Sequence, residues 1–302
     1  MVAQRARGVE ISGIRRMFEG APAGAINLGL GEPDFDPPKE VIDALCEAVR
    51  SGQNHYGPSA GLPALRARLA EMYRGRDPAT ASENVIVTGS GSEGLMSVAL
   101  TLYDPGDEVL VPNPGFVLYG PHARLAGAFP VPYDLREDLG FQPDFDQLEA
   151  VTTPRTRAIV VNSPSNPTGG LFPSATVDRL VEFAEDHDLT IISDEVYDEM
   201  VYEGRFASFW GRTDRSIIVN SFSKRLAMTG WRLGFIVAPA PLAIEINKLH
   251  YHMMACPSTP AQAGALAGLN AGLGATHRMV DEFRARRGLV VRSLNSTPGL
   301  HC

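Results

Sequence analysis

The chain predicts an α/β fold: a mostly parallel mixed sheet covered by helices on both faces, in three layers. Three observations carry that expectation. Short β-branched or apolar runs recur, among them Val85-Ile-Val-Thr88, Ala158-Ile-Val-Val161 and Ile217-Ile-Val219, and such runs read as strands buried on both faces. Segments with helical spacing alternate with them, the rhythm of a parallel sheet and its crossovers. Several runs also end in turns rich in glycine, serine, proline and asparagine, where ligands are held in open α/β sheets.

Composition narrows the function. With 302 residues and 44% hydrophobic content, the chain can bury a large core and fill one big domain plus part of another. Lys and Arg number 27 against 35 Asp and Glu, giving −8 without charge runs. That balance speaks against nucleic acid or an anionic membrane as main partner and for a small-molecule enzyme. Cys46, Cys256 and Cys302 are odd in number and far apart, which predicts neither a disulfide framework nor a metal site and makes a reducing cytoplasm the default. No apolar run reaches membrane-spanning length, and the N-terminus lacks the apolar stretch of a secretion signal.

Taken in order, Ile11 to Phe18 reads as a short arm, and Asn27-Leu-Gly-Leu-Gly31 ends in glycines that let backbone approach a ligand. Pro37-Pro38 opens a helix through Arg50, and a polar loop, Asn54 to Gly61, precedes a second helix bearing Leu62, Leu65, Leu69 and Met72. Strand Val85–Thr88 leads through Gly89-Ser-Gly-Ser92 into a helix from Glu93 to Leu102. Strand, glycine turn and helix start make an anion site, since free N–H groups and the helix dipole both face bound negative charge. The turn does have the Gly-x-Gly-x-x-Gly spacing of a dinucleotide fingerprint at Gly89, Gly91 and Gly94, but the acidic residue that the fingerprint needs after the next strand is missing, since Glu108-Val-Leu-Val111 runs into Pro-Asn-Pro-Gly115.

Strand Glu108–Val111 is followed by the loop Asn113 to Phe116, strand Phe129–Tyr133, a helix near Asp144 to Val151 and strand Ala158–Val161. Asn162-Ser-Pro-Ser-Asn-Pro-Thr-Gly169 is too rich in turn formers to be anything but loop. A helix from Pro173 to Asp186 and strand Thr190–Ser193 deliver the chain to Asp194-Glu-Val-Tyr197. After strand Phe235–Ala238 come helices Pro241 to Met254, Pro260 to about Gly272 and Thr276 to Asn295. His250 and His252 would face different ways on a helix, which makes a metal site a weak reading.

The most specific stretch is Asn220-Ser-Phe-Ser-Lys-Arg-Leu-Ala-Met-Thr-Gly-Trp-Arg-Leu-Gly234. It places Lys224 just past a strand end, where desolvation can lower an amine's pKa and free it to form a Schiff base. Ser221, Ser223 and Arg232 add donors of the kind that grip a phosphate. A lysine with phosphate donors points to pyridoxal phosphate, although a lone loop lysine is most often only solvated. Ser-x-x-Lys also marks penicillin-reactive enzymes, but their Ser-Asp-Asn and Lys-Thr-Gly partners are missing from this sequence. Asp194 stands 30 positions earlier, and a strand between the two lets both reach one cavity. A carboxylate beside a pyridine nitrogen keeps that nitrogen protonated, so the ring can accept electrons. The competing reading of Asp194 is a solvated loop acid or helix cap.

Ser221-Phe-Ser-Lys224 followed by Met228-Thr-Gly-Trp-Arg232-Leu-Gly234 resembles the lysine motif of the fold-type I, class I/II aminotransferases, and the similarity extends to about Arg287. The resemblance implies an aminotransferase that uses pyridoxal 5'-phosphate to exchange an amino group between an L-amino acid and a 2-oxo acid. Lys224 would be the Schiff-base residue and proton shuttle, Asp194 the partner of the ring nitrogen, and Asn166 and Tyr197 the partners of the ring oxygen. Ser90, Gly91 and Ser92 would form the phosphate cup with Ser221 and Arg232. Phe116 would stack on the ring, though from its residue type it reads almost equally as core. Gly31 and Asn166 would touch the substrate. Tyr56 would reach the cofactor phosphate of a neighbouring subunit, implying a homodimer; locally it reads as well as a tyrosine closing its own loop. Arg225 departs from the smaller residue usual in the family and is expected to leave Lys224 undisturbed.

The resemblance divides the chain into an arm and small-domain segment (1–30), a large cofactor domain (31–290) and a remnant of the small domain (291–302). The arginine with which the family clamps the substrate carboxylate finds no counterpart here, so the chain, if it is the whole protein, is expected to transaminate poorly; the alternative is a truncated product of a longer enzyme. Two other reactions or roles remain open at this point: a β-lyase or other elimination at Cα, and a non-catalytic or regulatory module. The regulatory role would call for an upstream DNA-binding helix pair, and no such pattern precedes the Gly29 loop.

Overall fold

The computed structural model describes residues 2–9, 13, 16, 17, 20, 22, 24–26, 29 and 31–302. Most of the arm expected over 11–18, and positions 27, 28 and 30 of the Asn27–Gly31 run, lie outside the described residues. The strands are β1 (Val85–Thr88), β2 (Glu108–Asn113), β3 (Phe129–Arg136), β4 (Gln142–Pro143), β5 (Thr156–Asn162), β6 (Thr190–Asp194), β7 (Ser216–Ser221) and β8 (Gly234–Val237). They form one sheet in the order β1-β8-β7-β6-β5-β2-β3-β4. Pairing is parallel from β7 through β6, β5 and β2 to β3. Only β8, against both neighbours, and the short β4 pair antiparallel. The expected mostly parallel mixed sheet is present.

Side-chain alternation explains the three layers, because successive strand residues point to opposite faces. Val85, Ile159, Val161, Ile218 and Phe235 join one buried cluster, while Ile86, Ala158, Val160, Ile217 and Ile236 join the other. The first face is covered by helices Lys39–Arg50, Pro63–Tyr73, Phe145–Val151, Ser174–Asp186 and Thr259–Ala271. Helices Gly91–Leu102, Tyr119–Leu125 and Ala240–Met254 cover the second. Several helices start where the sequence supplies a stop for their free N–H groups. Asp144 Oδ1 accepts from Gln147 N at 3.1 Å, and proline stands in the first turn of the helices that begin at Pro63, Ala240 and Thr259.

Helix Tyr119–Leu125 is a correction to the sequence reading, which carries no element between Phe116 and Phe129. Its seven residues include Gly120 and Pro121 and are too few for a periodic signal. Helix Gly91–Leu102 starts two residues earlier than the expected Glu93, because Ser90 rather than a later residue provides the cap. Helix Gly274–Asn295 is continuous across position 290.

Helices Thr259–Ala271 and Lys39–Arg50 touch through glycines. A Cβ on Gly264 would stand 2.8 Å from the Val41 carbonyl oxygen and 2.9 Å from the Trp231 ring, so a side chain there must displace backbone. Gly264→Val is expected to lower stability by about 2–3 kcal/mol through overpacking. Urea unfolding would check it, and an unchanged midpoint would show that the two helices separate at no cost.

Candidate active site

Register brings the nominated segments to one edge of the sheet. Asn162, Asp194 and Val219 stand abreast across β5, β6 and β7, and Thr88, Gly234 and Ser221 do so across β1, β8 and β7. The loops 89–92, 162–169, 194–197 and 221–224 therefore leave the sheet side by side, at the carboxyl ends of parallel strands.

Asp194 is 6% exposed at the end of β6. Its carboxylate accepts from the Tyr119 hydroxyl at 2.8 Å and from Val196 N at 3.3 Å. Burial pushes its pKa up to about 6, with both hydrogen bonds pulling the other way. Asn162 Nδ2 donates to the Asp194 carbonyl at 2.9 Å, and Asn162 Oδ1 accepts from Asn166 N at 2.7 Å, so one side chain ties both loops together. Tyr119 was not foreseen in any role. Its phenol is raised well above the ordinary range by burial and by the Asp194 charge, and its ring meets Phe116 edge-on at 5.7 Å.

Lys224 sits in the turn Phe222–Arg225, which Ser221 caps by accepting from Ser223 N at 3.1 Å. The side chain is half-buried, and its Nζ donates to the Gly31 carbonyl at 2.5 Å. Burial lowers its pKa; Arg232 adds to this and the Glu32 carboxylate opposes it. Nζ lies 5.9 Å from the centre of the Tyr197 ring. The Tyr197 phenol is pushed up to about 12, first by burial and then by Asp194, and it is hydrogen-bonded to Asn166. Lys224, Asp194, Tyr197, Asn166, Gly31 and Phe116 thus belong to one connected region.

The turn after β1 has the form expected of an anion site. Ser90 caps helix Gly91–Leu102 by accepting from Glu93 N at 3.0 Å, while the N–H groups of Gly91 and Ser92 belong to the first turn, where helices offer no internal acceptor. Gly234 lets this turn lie against β7: a Cβ there would stand 2.6 Å from Gly91 N and from the Ser90 carbonyl carbon. Ser221 Oγ lies 2.9 Å from Ser223 Oγ and 3.0 Å from the Leu233 carbonyl. Arg232 adopts φ 54° and is exposed, with Nη1 donating to Thr229 O at 2.9 Å. Tyr56 is 90% exposed and does not pack into its own loop.

Two buried polar clusters beside the site escaped the sequence reading. His250 is fully buried, with Nδ1 3.0 Å from Glu93 Oε1 and Nε2 3.0 Å from Ser59 O. Glu93 Oε2 also accepts from Gly89 N at 3.0 Å, steadying the anion turn. His252 is exposed, and no group of three or more candidate metal ligands occurs among the described residues. Arg225 is 3% exposed and paired with Asp198. No local pattern announces either cluster, since the partners lie 157 and 27 positions apart.

The raised pKa of Asp194 predicts a pH dependence. An acid with a higher pKa folded than unfolded adds stability that is fully present below its unfolded value, 3.8, and lost as pH rises through about 6. Glu195, pushed up to about 7 by burial, acts in the same direction. Without added ligand, the protein is expected to resist denaturant better at pH 5 than at pH 8. Asp194→Asn is expected to recover on the order of 2–3 kcal/mol at pH 8. A variant no more stable than the parent at pH 8 would contradict a buried, uncompensated carboxylate.

The family model described as aminotransferase class I and II matches residues 23–302. A probable aspartate aminotransferase of Methanocaldococcus jannaschii is 40% identical over 301 residues, covering 97% of this chain and 80% of the relative. Aromatic-amino-acid aminotransferase 2 of Thermococcus litoralis is 38% identical, covering 97% and 78%. Among solved structures, the aspartate aminotransferase from Thermus thermophilus with maleate superposes with a TM-score of 0.93 at 33% identity, covering 98% of this chain and 80% of that one. Together with the eight-stranded sheet and the lysine at its edge, these matches identify the chain as a member of the class I and II aminotransferases, enzymes that transfer amino groups.

Proposed function

We propose that this chain binds pyridoxal phosphate and uses it to move the amino group of an L-amino acid to a 2-oxo acid, with Lys224 as the anchoring amine and proton carrier. One observation carries the reading: an amine lowered by burial shares a sheet edge with a buried carboxylate whose hydrogen-bond donors are both neutral. The donor set fits the cofactor at three points. A buried anion favours a cationic neighbour such as a protonated pyridine nitrogen, a lowered amine favours an aldehyde, and the free N–H groups of Gly91 and Ser92 favour a phosphate.

When bound, pyridoxal phosphate supplies an aldehyde that captures amino groups and a ring that takes up the electrons left when a Cα–H bond breaks. Asp194 holds a proton on the ring nitrogen, and Tyr119 fixes the carboxylate's direction. Asn166 and Tyr197 bind the ring oxygen, and the Phe116 ring offers a flat apolar face. Ser90, Gly91, Ser92, Ser221 and Arg232 grip the phosphate, joined by Tyr56 from a second copy in a homodimer. Lys224 Nζ would accept and return the substrate's Cα proton, and burial favours the neutral amine that this role needs. Gly31 and Asn166 line the substrate's approach. Residues 31–290 act as the cofactor-binding domain, flanked by an arm and small-domain segment (1–30) and a small-domain remnant (291–302), and the enzyme works in the cytoplasm.

The relatives named for aspartate and for aromatic amino acids support amino-acid donors as the substrate class. Borohydride reduction in the presence of the cofactor is expected to leave its mass on the peptide containing Lys224, and Lys224→Ala is expected to show no such mass. Trapping on another lysine would sink the assignment. Tyr56→Phe is expected to weaken cofactor binding about tenfold, the worth of one hydrogen bond to a charged group, and sedimentation of the parent is expected to give a dimer. Unchanged binding would remove Tyr56 from the phosphate site.

A further inference from the structure

Lys224 and Tyr197 lie on different segments, yet the residue following each belongs to a single buried ion pair. Arg225 and Asp198 have side chains 3% and 5% exposed, and Arg225 Nη2 donates to Asp198 Oδ2. The same oxygen accepts from Asn220 Nδ2 at 3.0 Å, at the end of β7. Glu199 Oε1 lies 3.4 Å from Nη2, and Thr276 Oγ1 donates to the Arg225 carbonyl at 2.8 Å. The carboxylate of Asp198 is thus a knot between the stretch after β6, the end of β7 and the lysine turn.

Stability does not account for this pair. Arg225 Nε and Nη1 and Asp198 Oδ1 are buried without partners, and an incompletely satisfied buried pair is a poor stabiliser that apolar residues often replace without loss. Direct electrostatic tuning does not account for it either. The Lys224 shift comes from burial, Glu32 and Arg232, and the Tyr197 shift from burial, Asp194, Asn166 and Tyr202. What the pair does supply is direction. A helical turn separates neighbouring side chains by about 100°, so with Arg225 aimed into the protein, Lys224 is left facing the site. Tyr197 and Asp198 divide in the same way, one half-buried beside Lys224 and the other buried beneath.

We propose that the Arg225–Asp198 pair is a tether that sets the spacing between the Lys224 amine and the Tyr197 phenol, and so acts as a positioning pair for cofactor retention and turnover. The proposal rests on the reading of Lys224 as the cofactor's anchor. Misplacement of a reacting group by about 1 Å costs on the order of 100-fold in rate, whereas substrate contacts elsewhere are untouched. The signature is therefore a loss in kcat with KM preserved.

The test compares the parent holoenzyme with R225M/D198L, an apolar pair of similar volume. The double variant is expected to melt at or above the parent temperature. Its bound cofactor, scored by borohydride trapping on Lys224, is expected to be lost about tenfold faster on dialysis. Its kcat is expected to fall about 10- to 100-fold with KM within twofold. Parental retention and parental kcat in the double variant would overturn the tether. Asp198→Asn keeps the side-chain volume and leaves Glu199 as a carboxylate for Arg225, which covers the case in which the apolar pair does not fold. It is expected to lower kcat severalfold at constant KM, and parental kcat and retention there would overturn the proposal equally. A parent that retains cofactor on Lys224 but does not transaminate would refute the reaction instead, and the retention measurement would still decide the tether.

Discussion

The carboxylate of Asp194 is buried at the end of β6 with a phenol and a backbone N–H as its donors, and the surrounding structure is arranged to hold that charge in place. Burial opposes ionisation there more strongly than the two hydrogen bonds favour it. A folded chain retains such a group at a cost, and the cost is recovered only when something cationic arrives. The parallel sheet makes the position possible. Strands β5, β6 and β7 end abreast, so the loops that leave them surround Asp194 with Asn162, Asn166 and the lysine turn.

The same logic governs the anion turn. β8 runs antiparallel between β1 and β7, and it begins at Gly234, where only a hydrogen lets the Ser90–Gly91 backbone approach the end of β7. One side of the site is thus closed by backbone contact and the other by a side-chain network. Behind both lie carboxylates held by a buried partner: half-buried Glu93 beneath the turn, in contact with His250, and buried Asp198 beneath the lysine, in contact with Arg225. Each lies just behind a group that faces the site. Rigid placement is the return on desolvating them.

Much of this was legible in the sequence, for local reasons. The strand runs are apolar and β-branched, the turns carry glycine and serine at their ends, and Lys224 stands in a motif long enough to be specific. What could not be read depends on distance in the chain. Tyr119 acts on a carboxylate 75 positions away, from a seven-residue helix whose Gly120 and Pro121 resemble a loop. Arg225 stood out only as a departure from the smaller residue usual beside the lysine; its burial follows from Asp198 and Asn220, which meet it only after β6 and β7 pair. Phe116 was open between core and site, and the fold packs it against the second cluster and edge-on to Tyr119.

The most direct test of the account is the protonation midpoint of Asp194 itself, followed by isotope-edited infrared spectroscopy of its carboxyl group with and without pyridoxal phosphate. Without the cofactor the midpoint is expected at about 6, set by burial. With the cofactor it is expected to fall to the ordinary carboxylate range or below, as the ring nitrogen supplies the missing cation. A midpoint that stays at its cofactor-free value would contradict the claim that this charge is held for the ring.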